Sequence, residues 1–97
     1  MAVREKRQIE GALERKGFTC RVTDHKYYYY YSLAGKKTLV KTKVSLGGKP
    51  KTIGGDLLSF MARQCKLTTP EFLELVDCTM DQKIYERVLF DRGLSLE

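Results

Sequence analysis

The sequence predicts an α+β two-layer domain: a helix, three antiparallel strands, a helix and then two further helices. Three observations carry this expectation. Residues 3–16 place apolar side chains at helical spacing. Residues 18–46 turn to strand-like segments split by turn residues, and include five consecutive tyrosines, Tyr27 to Tyr31. Residues 57–92 return to helical spacing, with capping residues at the starts.

Each element has its own signal. In the first helix Val3, Ile9, Ala12 and Leu13 lie near one stripe, and Gly17 suits the left-handed residue that closes it. Phe18, Cys20 and Val22 alternate with Thr19, Arg21 and Thr23, a short half-buried strand with Asp24-His25 as its turn. Lys26 to Leu33 forms the second strand. Ala34-Gly35-Lys36 is a hairpin turn, and Lys37 to Leu46 the third strand, with Val40 and Val44 opposite Lys41 and Lys43. Gly47-Gly48-Lys49-Pro50-Lys51 breaks the sheet. Asp56 is expected to cap a helix over Leu57 to Lys66, with Leu57, Leu58, Met61 and Cys65 as its apolar face. Thr68-Thr69-Pro70-Glu71 reads as a helix start, with a capping threonine and proline near N1, for a short helix over Glu71 to Val76. Thr79 and Gln82 have capping-box spacing for a last helix through Arg92, with Ile84, Tyr85, Val88 and Leu89 as its buried stripe and Gly93 as its stop. The first five elements, α-β-β-β-α, follow the order of the double-stranded-RNA-binding fold.

Ninety-seven residues make a single domain spanning 1–97, with a core over 1–67 and a helical extension over 68–97. No apolar stretch approaches the ~20 residues needed to cross a bilayer, so no membrane partner is expected. The charged segment Met1 to Glu10 has no signal-peptide core, which makes the cytoplasm the expected compartment. Cys20, Cys65 and Cys78 form no C-x-x-C pair, and one histidine cannot complete a usual zinc site. All three thiols are expected to be reduced and packed, with no structural metal and no cofactor. The net charge is +6 and uneven: residues 1–55 carry 13 Lys/Arg against 4 Asp/Glu, and residues 56–97 carry 5 against 8. A basic half of this kind attracts phosphate.

The single histidine, His25, stands between Asp24 and Lys26 at the mouth of that basic hairpin. Read alone it is either a turn residue without chemistry or a functional base. The tyrosines also have two readings. Either Tyr27, Tyr29 and Tyr31 are core while Tyr28 and Tyr30 face solvent, or the reverse, because a one-residue slip exchanges the sets. The exposed set is available to stack on unpaired bases. The glycine pairs around Lys49-Pro50-Lys51 read either as a connector or as phosphate-holding backbone ahead of a helix, similar to the lysine-rich loops of duplex readers. The acidic residues Glu71, Glu74, Asp77, Asp81, Glu86 and Asp91 read as a solvated face, and the helices carrying them as either core enlargement or interface.

In ordered sequence features the chain resembles the HicA toxin family, the small RNA-cleaving half of a bacterial toxin–antitoxin pair. The features are Lys16-Gly17-Phe18 after the first helix, Asp24-His25-Lys26-Tyr27-Tyr28, the hairpin Gly35-Lys36-Lys37-Thr38, the strand Lys41-Thr42-Lys43-Val44, and the break before the helix Leu57 to Leu67. The resemblance covers roughly residues 4–67. It implies metal-independent cleavage of mRNA by His25 in the cytoplasm, and a HicB-like antitoxin partner.

The residues are compatible with that chemistry. RNA supplies its own nucleophile, the 2′-hydroxyl, and needs a base, cationic help at the phosphate and a grip on the strand. A neutral imidazole as base is worth about 10²–10⁴ in rate. Lys26 disfavours imidazolium at His25, and Asp24 favours it. The candidate RNA contacts are Lys26, Tyr28, Lys36, Lys37, Lys41, Lys43, Lys49 and Lys51. With no second histidine, the general acid would be water, a lysine or a tyrosine, and the expected enzyme is slow. The alternatives are a non-catalytic RNA-binding domain and a protein-interaction module docking an acidic partner.

Overall fold

The computed structural model describes residues 3–46, 51–77 and 79–93, and four helices and five strands form among them. The fold is mixed α+β. Gly47, Gly48, Lys49 and Pro50 of the expected sheet break, and Cys78, lie outside the described residues.

The first described element is strand β1 (Val3–Glu5), not a helix. It pairs antiparallel with a second unexpected strand, β5 (Thr52–Gly54), in the register Val3↔Gly54, Arg4↔Ile53 and Glu5↔Thr52. The bond from Lys6 N to Lys51 O, 2.8 Å, continues the ladder. Two short strands therefore interrupt the simple α-β-β-β-α order. Their pairing is between segments far apart in the chain, which local periodicity does not register. Helix α1 (Lys6–Arg15) then buries Ile9, Ala12 and Leu13 as expected, with Lys6 in the stripe position given to Val3. Gly17 follows at φ +98°. A Cβ there would collide with the Gln82 side chain and approach the Tyr30 ring to 3.1 Å.

Strands β2 (Phe18–Val22), β3 (Lys26–Tyr31) and β4 (Lys37–Val44) form an antiparallel meander with β3 in the centre. β3 ends two residues short of expectation because Ser32 N and Gly35 N already close the turn, on Lys36 O and Ser32 O, and β4 ends at Val44, two residues before Leu46. The register Phe18↔Tyr30 and Cys20↔Tyr28↔Thr42 puts these residues on one face. That face is the buried one, with Tyr28 2% and Tyr30 0% exposed, which decides between the two tyrosine sets. A bulge between Tyr29 and Tyr31 is bridged by Thr38, whose hydroxyl donates to Tyr30 O and accepts from Val40 N.

Helix α2 (Gly55–Gln64) has Gly54 at its N-cap and no side-chain cap. Asp56 lies one residue inside, where its charge favours the helix dipole. Leu58, Met61 and Cys65 are buried, but Leu57 is half exposed. Helix α3 (Thr69–Val76) starts with a full capping box between Thr68 and Glu71. Helix α4 (Gln82–Asp91) is capped by Asp81, which accepts from Ile84 N at 2.8 Å, and not by Thr79. The Thr79 hydroxyl instead donates to Glu74 O. Ile84 turns outward, leaving Tyr85 and Leu89 as the buried stripe with Val88 packed beside them.

One hydrophobic cluster joins α1, the sheet and the three later helices. At its centre Tyr30 packs against Phe18 and Tyr85 with ring centroids 5.2 and 5.1 Å away. Such aromatic pairs add roughly 0.5–1.5 kcal/mol beyond area burial. Tyr85 donates to Cys65 O at 2.8 Å. The later helices thus enlarge the core. Their acidic residues are also largely committed: Asp77 to Arg4 and Gln8, Glu71 to Arg92, Asp81 to its cap, and Glu86 to β3 and the turn after it. Glu74, Asp77, Asp81 and Asp91 remain exposed, as the expected solvated face requires, while Glu71 and Glu86 are partly buried.

Two outcomes follow from this packing. Gly17→Ala combines a disfavoured backbone with a steric clash, and should cost about 2 kcal/mol and lower Tm by roughly 10 °C. An unchanged melting curve would contradict the close approach of Gln82. The Asp77 carboxyl is held below its usual range chiefly by its hydrogen bond from Arg4, and Glu71 chiefly by the backbone N–H of Thr68 and then by Arg92. Folded values lie below unfolded ones, so this stability is present above the ordinary carboxylate range and lost as pH falls through the lowered values. Urea melts should show stability dropping below about pH 4, with a shallower drop in Asp77→Asn; each exposed pair contributes under about 1 kcal/mol.

Candidate functional site

The β2–β3 turn sets His25 at one end of the sheet. Thr23 N bonds back to His25 O at 2.9 Å and holds the turn tight. Asp24 Oδ1 accepts from the Thr23 hydroxyl at 2.9 Å and from Tyr27 Oη at 3.2 Å. Asp24 Oδ2 lies 3.3 Å from His25 Nδ1. The Thr23 hydrogen bond, followed by that from His25, keeps the Asp24 carboxyl ionised to lower pH than usual. With the ring proton on Nδ1 donated to Asp24, the Nε2 lone pair is the basic position. The His25 side chain is 38% exposed, so it is accessible while oriented.

His25 also lines a cavity of about 140 Å³. Lys6 from the start of α1, and Lys43 and Ser45 from the end of β4, supply its polar side; Leu57 and Phe60 of α2 supply an apolar rim. Lys6 is only 7% exposed, with its Nζ donating to Ser45 Oγ at 3.2 Å. His25, Lys6, Lys43 and Ser45 thus line one space large enough for a phosphate group, with apolar side chains making up most of its wall. Lys6, Ser45 and Phe60 were not legible in the sequence as site residues: each lies on a different element, and only the β1–β5 pairing and the sheet end bring them to His25.

The other candidates separate into groups. Tyr28 is buried, and burial pushes its phenol pKa up, so it contacts no ligand; strand alternation gave it to the core. Lys26 turns to the inner face, 3.4 Å from Glu10 Oε2. Of the two neighbours expected to pull on His25, Asp24 is thus the one bonded to the ring. Lys36 is exposed at the hairpin tip, Lys51 is exposed before β5, and Lys49 lies outside the described residues. Lys37, Lys41 and Lys43 share the outer sheet face with Arg21, which sequence reading had placed in β2 but not in the site. In register, Arg21↔Tyr27↔Lys43 and Thr19↔Tyr29↔Lys41 run across the sheet, and Tyr31 faces Lys37. Lys37 Nζ stands 4.3 Å from the Tyr29 ring centroid.

Neither Cys20 nor Cys65 lines the cavity beside His25. Cys65 is fully buried, and burial pushes its thiol up to about 12; Cys20 is half-buried, and both are free thiols. Among the described residues no three His, Cys, Asp or Glu side chains converge as metal ligands would, and no helix is long and apolar enough to cross a membrane.

No protein-family model, curated protein or solved structure matches this chain significantly. The functional reading therefore rests on the geometry and charge of the site.

Lys6→Met keeps the buried aliphatic stem and removes the charge, so it should fold normally. If Lys6 stabilises charge at a bound phosphate, the variant should lose roughly 10–100-fold in any phosphoester cleavage rate. An unaltered rate in a folded variant would remove Lys6 from the site.

Proposed function

We propose that this chain is a metal-independent RNA endonuclease of the HicA type, an mRNA-cleaving toxin with a HicB-like antitoxin partner, on a double-stranded-RNA-binding-like topology. The observation that carries this reading is the His25 imidazole, held by Asp24 at the edge of a cavity shared with Lys6 and Lys43.

In the proposed reaction His25 Nε2 removes the proton of an RNA 2′-hydroxyl. The 2′-oxygen forms a bond to the adjacent phosphorus as the bond from phosphorus to the 5′-oxygen breaks. The products are a 2′,3′-cyclic phosphate and a 5′-hydroxyl, whose proton comes from water or a lysine ammonium. Lys6 and Lys43, which line the same cavity, would offset the charge that grows on the phosphate oxygens. Asp24 orients the ring and stabilises the imidazolium once formed. Tyr30 and Tyr85 are unsuited as the acid, since burial raises both phenols and both are in the core.

The test is incubation of a long single-stranded mRNA with wild type and His25→Ala, chelator present. Wild type should yield fragments ending in cyclic phosphate, and His25→Ala should be slower by about 10²-fold or more while still binding RNA. Binding by both without cleavage by either would sink the enzyme reading and leave an RNA-binding domain.

A further inference from the structure

We infer that the outer face of the β2–β3–β4 sheet is a stacking track for single-stranded RNA that leads to His25. The choice of RNA rests on the function proposed above; the track itself rests on the sheet.

Strand alternation points Tyr27, Tyr29 and Tyr31 away from the core, and all three are half-exposed on the central strand. The rings of Tyr27 and Tyr29 lie 6.4 Å apart at 30°, close to parallel. His25 meets Tyr27 edge-on at 6.2 Å, so the row of rings ends at the proposed base. Cations flank the row: Arg21 on one side, and Lys37, Lys41 and Lys43 on the other. Leu39, 88% exposed on the same face of β4, adds apolar surface.

This pairing of aromatic faces with flanking positive charge matches the two needs of an unpaired strand. Its bases need flat apolar surfaces, and its phosphates need cations. A duplex fits less well, because its bases are already stacked and offer the rings nothing. An acidic protein would answer the lysines but not the row of partly exposed rings, in which Lys37 Nζ already stands 4.3 Å from the Tyr29 centroid. The sheet face, and not the helices, is thus the surface assigned to the strand.

The probes are a labelled short oligouridylate and a blunt RNA duplex of equal length, with fluorescence anisotropy as the readout. His25→Ala serves as the background so that cleavage does not consume the probe. The oligouridylate should bind more tightly than the duplex. Adding Tyr29→Ala should weaken it roughly 5- to 150-fold, and Tyr29→Phe should stay within about twofold, because the ring does the stacking. Should Tyr29→Ala fail to fold, Tyr27→Ala and Lys41→Gln carry the same test. Equal binding of duplex and single strand, or no effect of losing the ring, would overturn the track. So would Tyr29-dependent capture of polyglutamate without RNA binding, which would make the face a protein-docking surface. Tyr29-dependent binding with no cleavage by wild type would remove the nuclease and keep the track. Cleavage and binding that ignore Tyr29 would do the reverse.

Discussion

A buried phenol has to end in a hydrogen bond, because leaving its hydroxyl unsatisfied costs about 1–3 kcal/mol. Tyr30 meets that requirement at the centre of this molecule. Its hydroxyl donates to Glu86 at 2.9 Å, and the same carboxylate oxygen accepts Leu33 N at 2.8 Å. Gln82, one turn earlier on α4, reaches both the Tyr30 hydroxyl and Tyr31 O at 3.4 Å. One side chain therefore ties the central strand to the last helix and to the turn that follows the strand. Gly17 is bound into the same arrangement, since only a residue without Cβ leaves room for Gln82.

Anchoring Tyr30 inward sets the orientation of every neighbour. Tyr28 follows it into the core, and Tyr27, Tyr29 and Tyr31 turn outward. Through the cross-strand register the same choice places Arg21, Lys41 and Lys43 beside the outward rings. A slip of one residue would have buried the lysines and exposed the core. The basic aromatic face and the packed interior are two sides of one constraint.

The charge distribution has a similar double origin. The acidic residues of the later helices do not neutralise the sheet. Asp77 holds Arg4 on β1, Glu71 holds Arg92 on the loop after α4, and Glu86 is used by β3. The lysines of β4 keep their charge facing outward. The bond between Asp77 and Arg4 also steadies β1, the strand that delivers Lys6 to the cavity beside His25.

The sequence by itself determined what depends on near neighbours. Apolar spacing marked the helices, five tyrosines marked the central strand, Gly17 and Gly35 marked positive φ, and the run Thr68-Thr69-Pro70-Glu71 marked a helix start. The lone histidine before a lysine-rich hairpin marked the candidate site. Tertiary structure alone decided the rest. The β1–β5 pairing, the inward set of tyrosines, the diversion of Lys26 to Glu10, and the meeting of Lys6, Lys43, Ser45 and Phe60 around His25 all join segments distant in the chain. Local preference cannot choose between the two faces of a strand in which five successive residues are tyrosine. Only packing against Phe18 and Tyr85, and the partner that Glu86 offers Tyr30, make one choice lower in free energy than the other.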